Sequence, residues 1–357
     1  MKALPKRTIS AFAERLIPKG RILEDPAYNV WGCSPMYDAE GKVHVFYARW
    51  RNEFDHLGWV AACEVGHAIA DTPEGPFTHV DVALTGRGGD AWDSWSIHNP
   101  SIYQVDGKYI LLYMGSNGAN IGKTIEEMEA LSQIGPEAVR PYFRKLVQTK
   151  RVGMAISDSL NGPWTRVSDE ACMIDVGEEH AWDSFCTSNP TFTKTPEGKY
   201  RIYYKAWSIE TAQKFNGNRM YGFAESDCLT GPYVKYENNP VIDYSVYEET
   251  IQSEDGYLWY EDERYHMVMR DMGVFDEQCG LYITSPDGIT WTEPEVGFLA
   301  ATDYFDEPLP GISREGRFER PQILMKDGKP DYLFCAYRGG KYRTSSGVVL
   351  KINPKTK

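Results

Sequence analysis

Long hydrophobic runs are missing from this chain: no stretch approaches the roughly 20 uninterrupted apolar residues that a membrane helix needs. The opening Met1-Lys-Ala-Leu-Pro-Lys-Arg7 has no apolar segment of the secretory type. A soluble protein is expected, cytoplasmic, or periplasmic if a leader has been removed. Positive charge is scarce, with 38 Lys and Arg against 51 Asp and Glu and a net charge of −13. Such a surface repels phosphate backbones and anionic lipid, so neither nucleic acid nor membrane is an expected partner. The seven cysteines (Cys33, Cys63, Cys172, Cys186, Cys228, Cys279, Cys335) are scattered without a Cys-x-x-Cys pair and read as reduced core residues. Metal-spaced histidine clusters, Gly-rich nucleotide fingerprints and a Gly-x-Ser-x-Gly elbow are absent too, so no metal and no cofactor is expected.

What the chain does have is aromatic residues and glycine: 23 Tyr, 10 Trp and 32 Gly in 357 residues, a composition suited to short, turn-rich strands. A strand-like tract behind a Lys, Arg or Asp recurs five times, as Lys42–Tyr47, Lys108–Tyr113, Lys199–Tyr204, Arg264–Met269 and Asp331–Ala336. Each follows a turn such as Asp106-Gly107 or Glu197-Gly198, and before the turn comes another short apolar run, clearest at Asn99-Pro100-Ser-Ile-Tyr103 and Asn189-Pro190-Thr-Phe192. A third tract carries Gly66, Gly153, Gly222, Gly280 or Gly347, and in the first three copies it runs into a Gly-Pro-aromatic turn ending at Phe77, Trp164 or Tyr233.

Five copies of about four strands predict an all-β fold, a five-bladed β-propeller filling residues 1–357 as one domain. The last copy has three strands, so a segment near Arg21-Ile22-Leu23 is expected to supply the fourth and close the ring. A short helical insertion in blade two, about 116–150, interrupts the pattern. There Thr124 and Glu127 fit a capping box, and Ile125, Met128, Leu131 and Ile134 recur at helical spacing. It is expected to pack on the propeller as an amphipathic cover, with a lid or dimer contact as the alternative.

Innermost strands of a propeller begin at one end of the central tunnel, so chemistry is expected at their starts. The second and third starts are near copies, Trp92-Asp93-Ser94 and Trp182-Asp183-Ser184, each leading to Asn-Pro. Four acids stand out as catalytic candidates: Glu254, Asp93, Asp183 and Glu319. Paired carboxylates serve glycosidic cleavage, one protonating the leaving oxygen and the other activating water or attacking carbon. The alternative for the Trp-Asp-Ser motifs is a structural fastener, a repeated motif being often architectural; for Glu319 it is an ion pair with Arg320. Bases at the ends of second strands, Lys205 and Arg270 at one register with Arg49 and Arg338 one residue later, contrast with an acidic chain. They are expected to face funnel carboxylates or an anionic group of a substrate. Arg320, His98, Trp92 and Trp207 complete the substrate-binding candidates, the indoles because flat aromatic faces suit the C–H faces of sugars. Trp50, Trp95, Trp182 and Phe185 are further aromatics expected at the funnel edge, and His180 lies near the third start.

The Asn-Pro strand starts, the Asp-Gly-Lys-Tyr turns and the tract Ser157-Asp-Ser-Leu-Asn-Gly-Pro-Trp164 resemble the five-bladed β-propeller glycoside hydrolases, the group that holds families 43, 117 and 32, over about residues 25–352. In family 43 a base Asp, a pKa-modulating Asp and an acid Glu come from blades one, two and four. The resemblance therefore implies Glu254 as general acid. Blade one has Ser34-Pro35 in place of Asp-Pro, and Asn99 and Asn189 stand where Asp is frequent, which marks a divergent member and moves the base to Asp93. The expected function is a glycoside hydrolase of polysaccharide degradation, exo-acting on oligosaccharide ends with an anionic or anhydro sugar. A glycoside phosphorylase similar to family 130, with Arg49, Lys205, Arg270 and Arg338 on phosphate, and a non-catalytic glycan-binding propeller are the alternatives. Oligomeric state is open.

Overall fold

The computed structural model describes residues 1–306 and 316–355. It contains five four-stranded antiparallel sheets. Blade one is β2 (Tyr28–Tyr37), β3 (Val43–Arg51), β4 (Glu64–Ala70) and β5 (Thr78–Leu84). Blade two is β6 (Ser96–Val105), β7 (Lys108–Ser116), β8 (Arg151–Ser157) and β9 (Thr165–Arg166), and blade three β10 (Cys186–Lys194), β11 (Tyr200–Trp207), β12 (Met220–Ser226) and β13 (Val234–Lys235). Blade four is β14 (Gln252–Glu261), β15 (Arg264–Met272), β16 (Gly280–Ser285) and β17 (Glu295–Phe298). Blade five takes β18 (Glu319–Lys326), β19 (Lys329–Gly339) and β20 (Thr344–Ile352) from the end of the chain, and its outer strand β1 (Leu16–Leu23) from the beginning. The ring thus closes through the Arg21–Leu23 segment, where Arg21 pairs with Val348 and Leu23 with Gly347.

Blade-to-blade packing explains why the second strands read as unbroken apolar runs. Successive side chains of a strand point to opposite faces, and here both faces are covered. On β7, Ile110 and Leu112 join the seam with blade three, against Ile202, Tyr204 and Phe192. Leu111 and Tyr113 face the other way, into the seam with blade one against Phe46 and Val65. The pattern repeats on β15, where Met267 and Met269 meet Tyr203 and Tyr221 of blade three and Val268 meets Ile323 and Leu333 of blade five. A fifth seam, with Val43, Val45 and Tyr47 against Leu324 and Phe334, joins blades one and five. Five apolar seams replace a central core, which leaves the axis free for polar groups.

The insertion between β7 and β8 holds two helices, α1 (Ile125–Ile134) and α2 (Pro136–Gln148). The Thr124–Glu127 capping box forms in both directions. Met128 is fully buried, but Ile134, placed on the same stripe by its spacing, is 76% exposed at the helix end. The second helix begins with Pro136 directly after Gly135, a signal for a helix start that the α1 pattern overshadowed. Both helices pack on Leu57, Val60, Phe185 and Trp207, so the insertion forms one wall above the propeller's mouth.

Candidate active site

Each innermost strand carries the same irregularity. Its register with the second strand shifts between Trp31 and Ser34, His98 and Ser101, Ser188 and Thr191, Glu254 and Tyr257, and Glu319 and Gln322. The first skipped residue in every blade has left-handed backbone: Gly32, Asn99, Asn189, Asp255 and Arg320. These bulges turn five equivalent side chains toward the tunnel axis. The blade-one member is Gly32; Ser34, expected from Ser34-Pro35 to hold that place, lies two residues deeper and donates to Gln322 Oε1 at 2.9 Å. A methyl group at Gly32 would sit 3.2 Å from Cβ and Cγ of Arg320. The arginine fills the room the missing side chain leaves.

The ring closes the floor of the tunnel. Asn99 Nδ2 donates to Asn189 Oδ1 at 3.5 Å, and Asn189 Nδ2 donates to Asp255 Oδ1. The backbone N–H of Arg320 donates to Asp255 Oδ2 at 3.0 Å, and its Nη2 reaches the Asn99 and Pro100 carbonyls at 3.3 and 3.2 Å. Arg320 is fully buried. The structure therefore places this substrate-binding candidate in the floor and outside the cavity lining.

Above the floor opens a cavity of about 400 Å³, walled by Trp31, Trp50, Trp59, Phe143, Phe185 and Trp207 and by charged residues of blades three, four and five. Glu254, on the bulge of β14, pairs across the sheet with Arg270 of β15. Its Oε2 lies 2.8 Å from Arg219 Nε and 3.5 Å from Lys205 Nζ, and its Oε1 3.7 Å from Arg270 Nη1. The same Arg270 Nη1 stands 3.6 Å from Glu319, which also takes Arg317 Nη2 at 3.1 Å. Burial alone would raise the Glu254 pKa, but Lys205, Arg219 and Arg270 outweigh it and hold the carboxyl well below its ordinary range. Asp255 moves the opposite way, raised by burial and by the neighbouring Glu254 charge. Adjacent carboxyls are thus shifted in opposite directions. These bases favour the ionised form of Glu254, whereas the general-acid role expected of it needs the proton-holding form.

The other candidates separate by position. Glu319, Lys205, Arg270, Arg338, His98 and Trp207 line the cavity with Glu254. Asp93, Asp183, Arg49 and Trp92 do not. Asp93 is fully buried, accepting from Arg87 Nε at 2.5 Å, Arg166 Nε at 2.9 Å and the Tyr113 hydroxyl at 3.1 Å. Asp183 does the same in blade three, with Tyr204 OH at 2.9 Å and Lys235 Nζ at 2.6 Å. Trp92 stacks on Tyr113 and Trp182 packs on Tyr204, at 5.9 and 5.5 Å between ring centres. Each Trp-Asp-Ser motif therefore ties the lead-in of its blade to the second strand's tyrosine and to a base on the outermost strand. The motif repeats because the blade does.

Arg49 is displaced by strand periodicity. Lys205 and Arg270 pair with Ser188 and Glu254, whereas the matching partner of Trp31 is Ala48. One residue later the side chain turns to the other face. Arg49 accordingly pairs with Glu64 at 2.7 Å and covers the Tyr28 ring. Arg338 lies two residues beyond its counterpart Ala336, which returns it to the funnel side. His98 is held among the Trp50 and Trp59 rings, with Nδ1 3.2 Å from Cys63 Sγ. Of the further aromatics, Trp50 and Phe185 line the cavity and Trp95 and Trp182 do not. His180 is exposed.

Sequence reasoning passed over Trp31, Trp59, Lys150, Arg219, Asp255 and Arg317, all on the wall or floor. Asp255 had a signal, since Asp255-Gly256 occupies the place of Asn99-Pro100 and Asn189-Pro190. Arg219 and Lys150 precede the third strands β12 and β8, in loops without a repeated pattern. Among the described residues, Asp271, Asp276 and Cys279 are near enough to share an ion. Asp271 there accepts the backbone N–H groups of Val274, Phe275 and Asp276 at 2.7, 2.8 and 3.0 Å, which makes it a turn-former.

Fold and funnel together define a five-bladed propeller with a blind, carboxylate-bearing cavity. No protein-family model and no curated protein matches the chain. Among solved structures it is similar to Zg3597, a family 117 glycoside hydrolase of the marine bacterium Zobellia galactanivorans, with a TM-score of 0.64 at 17% identity over 94% of this chain and 90% of that one. It is similar also to a structure described as a glycoside hydrolase, at a TM-score of 0.67 and 13% identity, over 95% of this chain and 92% of that one. A third is CoXyl43, a family 43 β-xylosidase/α-arabinofuranosidase from a compost metagenome, at a TM-score of 0.55 and 15% identity over 94% of this chain and 95% of that one. At such identities the likeness is one of fold, the propeller on which these glycoside hydrolases are built.

Proposed function

We propose that the protein is a glycoside hydrolase acting on the ends of carbohydrate chains that carry an anionic sugar. The observation that carries this reading is the set of three carboxyls, Glu254, Asp255 and Glu319, at the bottom of a funnel with a closed floor. A closed floor admits a chain by its end, which favours exo-action. In the mechanism this supports, ionised Glu254 attacks the anomeric carbon or activates water, and a second carboxyl of the set protonates the leaving oxygen. Glu319, fixed by Arg317 and Arg270, sets the position of the guanidinium that Glu254 shares. Among the described residues, seven bases line the cavity against four acids, Asp55 among them, in a chain of net charge −13. That local excess of positive charge focuses anions into the funnel and, of the anionic and anhydro sugars, favours the anionic.

The test is turnover of a panel of neutral, uronate-ended and sulfated oligosaccharides, read as reducing ends released. Glu254→Gln is expected to abolish turnover while binding persists, because the amide keeps the shape but can neither attack nor accept a proton. Activity of that variant within tenfold of wild type, or an inactive wild type on the whole panel, refutes the reading. The excess of bases also favours phosphorolysis as a second reading; turnover that requires inorganic phosphate identifies it.

A further inference from the structure

Of the three buried bases on the cavity wall, Lys205 and Arg270 contact Glu254. Lys150 does not. It sits where α2 hands over to β8, is 4% exposed, and pairs with no carboxylate of the described residues. Its ammonium instead lies 5.3 Å from the centre of the Trp59 ring and 5.1 Å from that of Trp207. Indole faces attract a cation, but weakly beside a carboxylate. Withdrawing an ammonium from water costs several kcal/mol, so the two rings leave it short of a counter-charge. Nearby, Arg219 and Lys205 share the one carboxylate of Glu254, which leaves none for Lys150. Lys150 is the buried wall base left without a carboxylate contact among the described residues, and it lines the cavity between two flat apolar walls.

We propose that Lys150, framed by Trp59 and Trp207, is the contact point for a monoanionic group on the bound sugar, the carboxylate of a uronic acid or a sulfate ester. The proposal rests on the reading that the funnel takes carbohydrate, and it names what the insertion contributes: the helices deliver the base that selects a charged sugar. The ammonium carries one charge, which a carboxylate or a sulfate ester matches one to one.

Burial pulls the Lys150 pKa down to about 8, with Lys205 and Arg219 adding to the effect and Cys186 and Glu254 opposing it. The anion binds the ammonium and not the amine, so affinity is expected to fall as pH rises through this range. Binding of glucuronate, glucose 6-sulfate and glucose to the full chain, measured by calorimetry at pH 7 and pH 9.5, tests the assignment. The wild type is expected to prefer both anions, and to lose that preference by about 30-fold between the two pH values, as a group titrating near 8 requires. Lys150→Met is expected to weaken both anions about tenfold or more while glucose changes less than twofold, and Lys150→Arg to restore most of the loss. The wild-type pH profile keeps the proposal testable should the Met variant fold poorly. No anion preference in the wild type, a preference that survives in Lys150→Met, or inorganic phosphate binding tighter than both anionic sugars through Lys150 overturns it. Preference for glucuronate or sulfate alone supports it and identifies the group. The readout is binding, so an inactive panel refutes hydrolysis without touching this assignment.

Discussion

Replacing Asp93 by Asn separates a fastener from a catalytic base. The carboxylate is fully buried and neutralises two guanidiniums, Arg87 at 2.5 Å and Arg166 at 2.9 Å, while taking the Tyr113 hydroxyl at 3.1 Å. Removing one side of a buried ion pair costs about 3–5 kcal/mol. Asparagine keeps one carbonyl acceptor, and both arginines are partly solvated, which brings the expected loss to about 2–4 kcal/mol. An unfolding entropy of ~2.1 cal/mol/K per residue gives about 0.75 kcal/mol/K for a chain of this size, so the melting temperature is expected to drop by about 3–5 °C. Because Asp93 lies off the cavity, kcat measured well below the transition is expected to stay within twofold. Tyr113→Phe shares the bond, so the double variant is expected to lose less than the sum of the singles. Space for this cluster is made by Gly153, where a methyl group would meet the Tyr113 ring at 2.4 Å. A variant with unchanged melting temperature and turnover lowered a hundredfold would refute the argument and return Asp93 to the chemistry. Asp183→Asn is expected to behave alike with a smaller shift, its lysine partner being a third exposed.

Two further outcomes follow from the axis and from blade one. Gly32→Ala is expected to cost about 1–3 kcal/mol, because it combines a left-handed backbone at φ 63° with a methyl group pressed on the Arg320 stem; a melting temperature unchanged within 1 °C contradicts this. His44 and His67, stacked and hydrogen-bonded at 2.8 Å, have their pKa values lowered by burial, against the opposing pull of Asp38 and Asp81. Each is neutral in the fold and takes up a proton more readily when unfolded, so the stability they confer is complete above pH ~6.5 and is lost as pH falls through their lowered values. Melting temperatures recorded from pH 7.5 to 5 are expected to decline on the acid side, less steeply in His67→Gln; equal slopes contradict the assignment.

Much of the architecture is local chemistry and was legible. Asp106-Gly107 and Glu197-Gly198 set hairpins wherever they occur, the runs through Ile110–Tyr113 and Ile202–Tyr204 need both faces covered, and the Thr124–Glu127 box starts a helix by itself. Five copies of such signals imply five blades, and the missing strand of the last implies closure by Arg21–Leu23. Glu254 and Glu319 were legible for a related reason, because every innermost strand starts at the funnel.

What the sequence by itself determined, then, is the propeller, its closure and the region in which to look. Only the tertiary structure decided which side chains line the cavity there. A shift of one residue turns a strand's side chain to the other face, which removes Arg49 from the cavity and keeps Arg338, two residues on, inside it. The bulges decide that Gly32, and not Ser34, shares the ring with Asn99, Asn189, Asp255 and Arg320. The repeated Trp-Asp-Ser motif drew attention to Asp93 and Asp183 by its similarity, yet similarity between blades records what every blade needs to hold itself together. The charge state of Glu254 is set by Lys205, Arg219 and Arg270, on separate strands and loops, and Lys150 meets Trp59 and Trp207 from other blades still. Electrostatic work depends on distance and burial, quantities that exist only once the ring has closed.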